Sequence, residues 1–506
     1  MADFEVKNGV IRNDMFGRLD IYSTYDEITD ENAMEELNSA LVYHIRNMLQ
    51  EEYLYWYTRG VQPILSRTKG IREDILNIVQ VNTAAEIVDF KNGYFLTQPC
   101  SYVSRRRGVQ GKVKKLNEYL YRSGKAETDN KVTDWFHRVG KGVLFVEPMQ
   151  DPEAPFKTYS LDPRSAFVVY SLRPGNKPVF GVNFVTRDGV AMFDVFTEKM
   201  VYHFKGTVTG RLMTNSLNCD YMASAVELVS KETNVLGYTP IIEYRYNSVN
   251  TSCYELAIPL MDEMSNLTSN ACDGVEQFIQ SLAIAINCEF PEDTTISDIR
   301  KAGFIQFRSV GENKADFKVL TEQLDQTQTK TLIDSLYDEV LRICAMPSRS
   351  NGRQSTYDTT GAAVLANFGW YQADAAARNT EDLFKESNRQ FDAIIVKILG
   401  MKGLLDIDVN DFELNFVRNE TANVQSKAQA FQTLVGAGLH PELAAAKSGI
   451  SNDPVKDMKM SEKWLEMVWG NPDKVDKAEE TNGGKGEATI IEEDSDNGEN
   501  ETGGAV

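Results

Sequence analysis

A regular pattern of apolar positions lies between Tyr254 and Ala283. Apolar residues recur there every three or four positions, a spacing that places them along one face of an α-helix. Such a helix would be about 45 Å long, and the stripe alone favours a core helix over one that lines a channel or packs beside copies of itself. The apolar positions are Leu256, Leu260, Met264, Leu267, Ala271, Val275, Phe278 and Leu282, and acidic residues on the other faces are Asp262, Glu263, Asp273 and Glu276.

A small β insertion, two further helices and a polar stretch follow this helix. The insertion spans about 40 residues, too few to enclose a core, so we expect neighbouring structure to stabilise it. The polar stretch contains Gly, Ser, Asn and two arginines between the helices. The predicted bounds are 283–289, 303–309 and 316–321 for strands, 296–301 for a short helix, 326–344 for the second helix, 346–360 for the polar stretch and 360–399 for the third helix.

The first 250 residues read as one α+β domain. Helical periodicity comes first, and from residue 142 apolar residues alternate with polar ones, which predicts strands of an antiparallel sheet. The dipeptide Asp188-Gly189 is a hairpin-turn signal. The predicted helices are 26–57, 75–95, 112–122 and 133–138, and the strands are 142–147, 167–171, 178–186, 191–197, 199–204 and a closing strand at 240–246. Residues 425–469 are again helical in pattern, with a break at 436–438.

Charge narrows the classes of function. The formal net charge is −21, which argues against tight nucleic-acid binding because a protein that grips phosphates should be basic. An acidic wall past which DNA slides is compatible with this charge. Residues 471–506 contain eleven acidic residues against three lysines and no aromatic residue, so we expect a disordered tail.

No motif supports enzyme chemistry, a metal or a cofactor. The six cysteines and four histidines form no zinc-ligand spacing, and scattered cysteines indicate reduced thiols. The chain has no P-loop, GxSxG, HExxH or EF-hand motif. We interpret Asp262-Glu263 as a surface pair rather than an acid/base dyad, and His137 and His203 as packing residues. The N-terminal residues show no signal-peptide pattern, and we expect no membrane span.

The polar stretch 346–360 allows two interpretations of its role. It is either a mobile surface connection or a loop that contacts a polyanion through Arg349 and Arg353. Its central residues are Ser348, Arg349, Ser350, Asn351, Gly352, Arg353 and Gln354.

The order helix, β insertion, helix, polar loop, long helix resembles the portal (head-to-tail connector) proteins of tailed bacteriophages, in particular those of siphophages that infect Gram-positive bacteria. Local strings over about residues 40–465 support the resemblance by their order and spacing. They are Tyr57-Thr58-Arg59-Gly60-Val61-Gln62-Pro63-Ile64, Asn82 with Ile87-Val88-Asp89 and Gly93-Tyr94-Phe95, Asp162-Pro163 with Phe167-Val168-Val169-Tyr170, Pro240-Ile241-Ile242-Glu243-Tyr244, Thr360-Gly361-Ala362-Ala363 and Phe416-Val417-Arg418-Asn419.

The resemblance implies a portal fold whose parts carry family names. Pro259, one turn into the first stem helix, requires that the helix starts nearby or kinks there. The implied parts are a wing at 1–250, stem helix 1 at 251–283, a clip at 284–325, stem helix 2 at 326–345, a tunnel loop at 346–360, a long helix returning to the wing at 361–415, a helical crown at 416–470 and the tail at 471–506.

The resemblance also implies a function in the virion. Family members form rings, of twelve subunits in the virion, at one capsid vertex, and double-stranded DNA is packaged and ejected through the ring. The implied partners are other copies of the chain, the terminase, a head-completion or adaptor protein, the major capsid or scaffolding protein and the DNA, with assembly in the host cytoplasm. Two alternatives remain open: a neck or tail adaptor ring without DNA transit, and an enzyme of unknown chemistry.

A channel for DNA must not hold the DNA, and this requirement assigns roles to the stem residues. The acids Asp262, Glu263, Asp273 and Glu276 are candidate channel-wall residues that would repel phosphates, while the loop arginines would make transient contacts. In this reading the apolar stripe is a seam between subunits. Its seam residues are Leu260, Met264, Leu267, Val275 and Phe278.

Overall fold

The computed structural model describes residues 17–69, 74–106, 108–209, 222–279, 282–286, 288–289, 308–309, 316–320, 326–347, 369–416, 424–451, 457–461 and 464. The chain divides into two compact units, Met1–Thr421 and Ala422–Val506. The first unit contains both helices and sheets, as an α+β chain should. The helices described in it are α1 (Ala33–Thr58), α2 (Thr83–Phe95), α3 (Gln110–Arg122), α4 (Lys125–Val139), α5 (Ile258–Ile279), α6 (Gln326–Ile343) and α7 (Trp370–Met401).

In the first unit, the observed strands agree best with the predicted ones in the middle of the domain. The predicted strands from residue 142 to residue 204 are all present, with ends shifted by a few residues. The strands are β1 (Ile21–Ser23), β2 (Ser101–Ser104), β3 (Lys141–Pro148), β4 (Phe156–Leu161), β5 (Ala166–Ser171), β6 (Pro178–Arg187), β7 (Val190–Thr197), β8 (Met200–Thr209), β9 (Met222–Thr233), β10 (Ile241–Arg245), β11 (Leu282–Ile286), β12 (Cys288–Glu289), β13 (Arg308–Ser309), β14 (Asp316–Leu320) and β15 (Phe412–Asn415).

The prediction of a single antiparallel sheet is wrong. A six-stranded sheet has the order β1-β5-β6-β7-β8-β9, with β1 parallel to β5, and a separate three-stranded sheet has the order β10-β3-β4. Strand β10 pairs with β3 rather than closing the large sheet. The two sheets pack face to face through Val143, Val168 and Ile241, so alternation reveals the strands but not which sheet each one joins.

The apolar faces of the two sheets determine which helices pack against them. One face of the large sheet packs on α1 and the other on the small sheet, whose far face packs on α4 and α7. The hairpin between β6 and β7 confirms the turn signal, since Asp188 and Gly189 both have positive φ, 52° and 78°, as a type I′ hairpin turn requires.

The predicted helix 75–95 is wrong in its first half. Helix α2 begins at Thr83, where the Asn82 side chain caps the N–H of Ala85, and residues 76–82 form neither helix nor strand. The apolar residues of 75–81 are compatible with a helix, but their backbone N–H groups instead find acceptors on α5.

Helix α5 begins at Ile258, directly after a short 3-10 helix at Glu255–Ala257. Pro259 therefore lies in the first turn, where its missing N–H has no intrahelical acceptor to lose, and no kink is needed. The predicted end at Ala283 is wrong, because α5 ends at Ile279 and Leu282 already belongs to β11.

The insertion forms two antiparallel strand pairs, β11 with β14 and β12 with β13. The predicted strands are confirmed where they are described, and the predicted helix 296–301 lies outside the described residues. Helix α6 confirms the prediction for 326–344. Helix α7 confirms the described part of the third helix, and the loop residues Ser348–Gln354 lie outside the described residues.

The second unit contains α8 (Val424–Gly436) and α9 (Pro441–Ser448). The predicted break at 436–438 is confirmed, with Gly438 at φ 87°. The acidic tail from residue 471 lies outside the described residues.

Candidate functional site

The polar side of α5 is covered by a segment of the same chain, which we call the strap (residues 59–69 and 74–82). It contains a 3-10 helix at Pro63–Ser66 and neither helix nor strand at 75–82. The backbone N–H groups of Asn77, Val79 and Val81 each donate to a side chain of α5. The acceptors are Asp273 (2.7 Å), Ser269 (3.0 Å) and Ser265 (3.3 Å), respectively.

The spacing of these hydrogen bonds follows from backbone geometry. Two residues of extended chain advance about 6.6 Å, and four residues of α-helix advance about 6 Å. Every second N–H of the strap therefore meets every fourth side chain of α5. Since strap and helix run in opposite directions, Asn77 meets Asp273 and Val81 meets Ser265.

Asp273 is the charged end of this contact. Its side chain is 4% exposed, and its Oδ2 lies 2.8 Å from Arg67 Nη2 and 2.7 Å from Lys69 Nζ. Burial alone would raise the pKa of Asp273, but hydrogen bonds from Lys69, the Asn77 N–H and Arg67 outweigh burial and lower the pKa to about 2. The carboxylate is thus ionised at neutral pH, and two cations of its own subunit offset its charge.

Two further candidate wall acids also contact this region of the chain. Glu276 accepts a hydrogen bond from the Asn77 side chain at 2.8 Å, and Asp262 accepts one from the Tyr57 hydroxyl at 2.8 Å. Burial and the neighbouring Asp262 carboxylate raise the pKa of Tyr57, so the phenol remains a donor. Glu263 follows Asp262 directly, and adjacent positions of an α-helix point about 100° apart. Glu263 therefore lies on another side of α5, where it is exposed.

Two of the four predicted wall acids, Asp273 and Glu276, thus contact the strap, and Asp262 contacts Tyr57 near the end of α1. Whether any of them faces a channel stays a prediction. The sequence contained one signal for this contact: residues 59–69 carry Arg59, Arg67 and Lys69 and no acid, while α5 carries four acids and no base.

The predicted seam residues divide between the interior of the subunit and its surface. Met264 is 2% exposed and packs in a cluster with Tyr57, Tyr254 and Val340, and Leu260 is partly buried against that cluster. Met264 is therefore occupied within its own subunit. Leu267 is half-buried, Val275 is 41% exposed, and the side chain of Phe278 lies outside the described residues.

Hydrogen bonds fix the start of α5 and the end of α6 to the domain. Buried Glu255 pairs with Arg18 and accepts from the N–H of Ser252 at 2.9 Å. The hydroxyl of Tyr337 on α6 donates to Glu86 at 2.8 Å, and Lys91 Nζ donates to the carbonyl oxygen of Ala345 at 3.0 Å. Helix α2 and the strap therefore hold both long helices in place.

Of the two histidines named from sequence, His137 occupies a packing position, whereas His203 is partly exposed and pairs with a carboxylate. His137 is buried among aromatic rings, and its Nδ1 lies 2.7 Å from Asn92 Oδ1. His203 lies beside Asp194 on the neighbouring strand, at 2.7 Å. Within the described ranges, no group of three or more His, Cys, Asp or Glu side chains is placed to hold a metal ion. Among the helices that the structure describes, none is both long and apolar enough to cross a membrane.

A protein-family model matches most of the chain. The family is described as phage portal protein, SPP1 Gp6-like, and the match runs from residue 44 to residue 468. The chain belongs to this phage portal family. Portal function follows from this membership, as do the structural, non-enzymatic character of the family and a position at the virion connector.

The other comparisons are weaker. One similar solved structure is described as "Neck of empty GTA particle computed with C6 symmetry". The portal chain is 12% identical to it, with a TM-score of 0.40, and the alignment covers 72% of the portal chain and 90% of that chain. No curated protein matches the portal chain.

Proposed function

We propose that this portal protein forms a ring at one capsid vertex and that double-stranded DNA is packaged and ejected through the ring. The family match over residues 44–468 carries the proposal. The two long helices α5 and α6, with the β insertion between them, supply an arm that copies of the chain can arrange around a channel. The ring then serves as the docking platform for the terminase, for a head-completion or adaptor protein, and for the major capsid or scaffolding protein.

The parts of the ring follow the family order. Residues 1–250 form the wing, α5 and α6 the two stem helices, 284–325 the clip, 346–360 the tunnel loop, 361–415 the long helix that returns to the wing, and 416–470 the crown. The clip strands are short and paired two by two, so their remaining edges suit pairing between neighbouring subunits.

The acids of the stem have more than one role, rather than all repelling DNA from a channel wall. DNA must pass without being held, and each basic contact to a phosphate adds affinity through counterion release. Of the four candidates, Glu263 is the exposed acid. Asp273 and Glu276 act mainly by holding the strap, Asp262 accepts a hydrogen bond from Tyr57 of α1, and the loop arginines Arg349 and Arg353 supply transient DNA contacts.

Electron microscopy of the purified full-length protein tests this proposal. We expect closed rings with a central hole wide enough for a DNA duplex. An enzyme of unknown chemistry has no reason to form such rings. A protein that remains monomeric or forms open filaments under all assembly conditions would contradict the proposal.

A further inference from the structure

The strap has an exposed apolar surface. Its two arms are tied together where Gln80 Nε2 donates to the carbonyl oxygen of Gly60 (2.5 Å) and Arg67 Nη1 to that of Asn77 (2.6 Å). While the N–H groups of the strap engage α5, large side chains on both arms remain 39–50% exposed. They are Val61, Leu65, Leu76 and Ile78. Contiguous apolar side chains at a surface mark an interaction site more often than scattered ones do.

A second apolar surface lies on α5 and the turn before it, on a side that the strap does not cover. Leu256 is 54% exposed and Leu267 is half-buried, with Leu260 between them. Exposed Glu263 lies in the same row, since steps of four, three and four residues keep one helical face.

The charges of the two surfaces are opposite. Arg67 and Lys69 of the strap already pair with Asp273, whereas Arg59 is exposed and lies over the rings of Tyr55 and Trp56, at 5.3 and 5.8 Å. Helix α5 contributes Glu263 and no basic residue. Arginine and aromatic side chains are also the residue types enriched in the energetic centres of protein interfaces.

A ring requires two different complementary surfaces on each subunit, because each copy contacts one neighbour with one surface and the other neighbour with the second. We propose that the strap of one copy docks through its apolar side chains on the Leu256–Leu267 face of α5 in the next copy, with Arg59 opposite Glu263. The inference rests on the ring assembly proposed above and names the surfaces that form it. In this arrangement α5 is held by its own strap on one side and by the neighbour's strap on another.

A charge-swap experiment on the full-length protein tests the pairing. Glu263→Arg and Arg59→Glu each place like charges in the interface and should raise the concentration needed for ring formation about tenfold or more, the effect expected for a reversed rim pair. The double variant should return assembly towards the wild-type level. Sedimentation velocity measures the ring fraction, and circular dichroism verifies the fold, which should not change because both side chains are exposed.

Matched variants separate this interface from general effects of charge or folding. Glu118→Arg makes the same change at an exposed position of α3 and should assemble like wild type. Ile78→Asp should weaken assembly without a partner charge that rescues it. Wild-type rings that persist in the Glu263, Arg59 and Ile78 variants would overturn this interface alone, as would a double variant no better than the sum of its single changes. A wild-type chain that never forms rings would overturn the proposed function together with the interface.

Discussion

Replacement of Asp273 should release the strap from α5. This carboxylate accepts the backbone N–H of Asn77 and pairs with Arg67 and Lys69 in a site where its own side chain is nearly buried. Asp273→Ala removes the acceptor of this N–H and the negative charge beside two cations, which keep only neutral acceptors. Asp273→Asn keeps an oxygen for the N–H but removes the charge.

The size of the effect follows from these contacts. Breaking a buried ion pair costs about 3–5 kcal/mol, and because the Lys69 side chain is 25% exposed and can be hydrated again, we expect about 3 kcal/mol for Asp273→Ala. Loss of the charge alone in Asp273→Asn should cost about 1.5 kcal/mol. At 1.4 kcal/mol per factor of ten, local opening of the strap should become about 100-fold and about tenfold more frequent, respectively.

Hydrogen exchange measured on the assembled protein reports this opening directly. The amides of Asn77, Val79 and Val81 should exchange faster by these factors, while amides of the large sheet stay unchanged. Glu118→Gln, an exposed change on α3, should leave strap exchange unaffected. Unchanged exchange of the three strap amides in Asp273→Ala would refute the reasoning, because the strap would then be held by something other than this carboxylate.

The same site should respond to acid. The pKa of Asp273 is lowered from its ordinary 3.8 to about 2, so its contribution to stability is fully present above pH 3.8 and is lost as the pH falls through 2. Strap exchange in the wild type should therefore lose protection below about pH 4. Asp273→Asn should lack this acid-dependent loss.

The remaining predictions concern the wing and the loop. Burial raises the pKa of Glu51 from 4.5 to about 8, so the folded protein keeps a proton that the unfolded chain releases; wild-type stability should fall as the pH rises from 4.5 to 8, whereas Glu51→Gln should melt at a higher temperature at pH 7.5 and lack this slope. A Cβ at Gly140 (φ 93°) would lie 2.1 Å from a backbone oxygen, whereas at Gly124 (φ 73°) nothing lies within 4 Å. Gly140→Ala should thus lower the melting temperature well beyond Gly124→Ala, and equal melting temperatures would contradict this. Replacing Arg349 and Arg353 with Glu should change DNA packaging or retention while rings still assemble, and unchanged packaging would refute their contact with DNA.

The sequence predicts those elements whose structure is set by their own residues rather than by contacts with distant parts of the chain. Helix α6 has one apolar face and lies where the pattern places it, and β7 begins within one residue of its predicted start. The hairpin at Asp188-Gly189 is equally local, because Asp-Gly readily adopts the two positive φ angles of a type I′ turn.

The parts that sequence reasoning missed depend on partners distant in the chain. Strand β10 joins β3 rather than the large sheet, a choice set by how the sheets stack. Residues 75–81 are apolar enough for a helix, but their N–H groups bind Ser265, Ser269 and Asp273 almost 200 positions away. The acids of α5 read as a channel wall because the sequence shows their spacing and not the strap that occupies that side.

The central claim is that the chain forms the DNA-conducting ring of one capsid vertex, and an asymmetric electron-microscopy reconstruction of DNA-filled phage particles tests it most directly. The account predicts a ring of this chain at a single vertex, with DNA density along its axis and α5 and α6 in the wall of the channel. A ring found only in the neck or tail, with no DNA passing through it during packaging, would contradict the account and identify the protein as an adaptor instead.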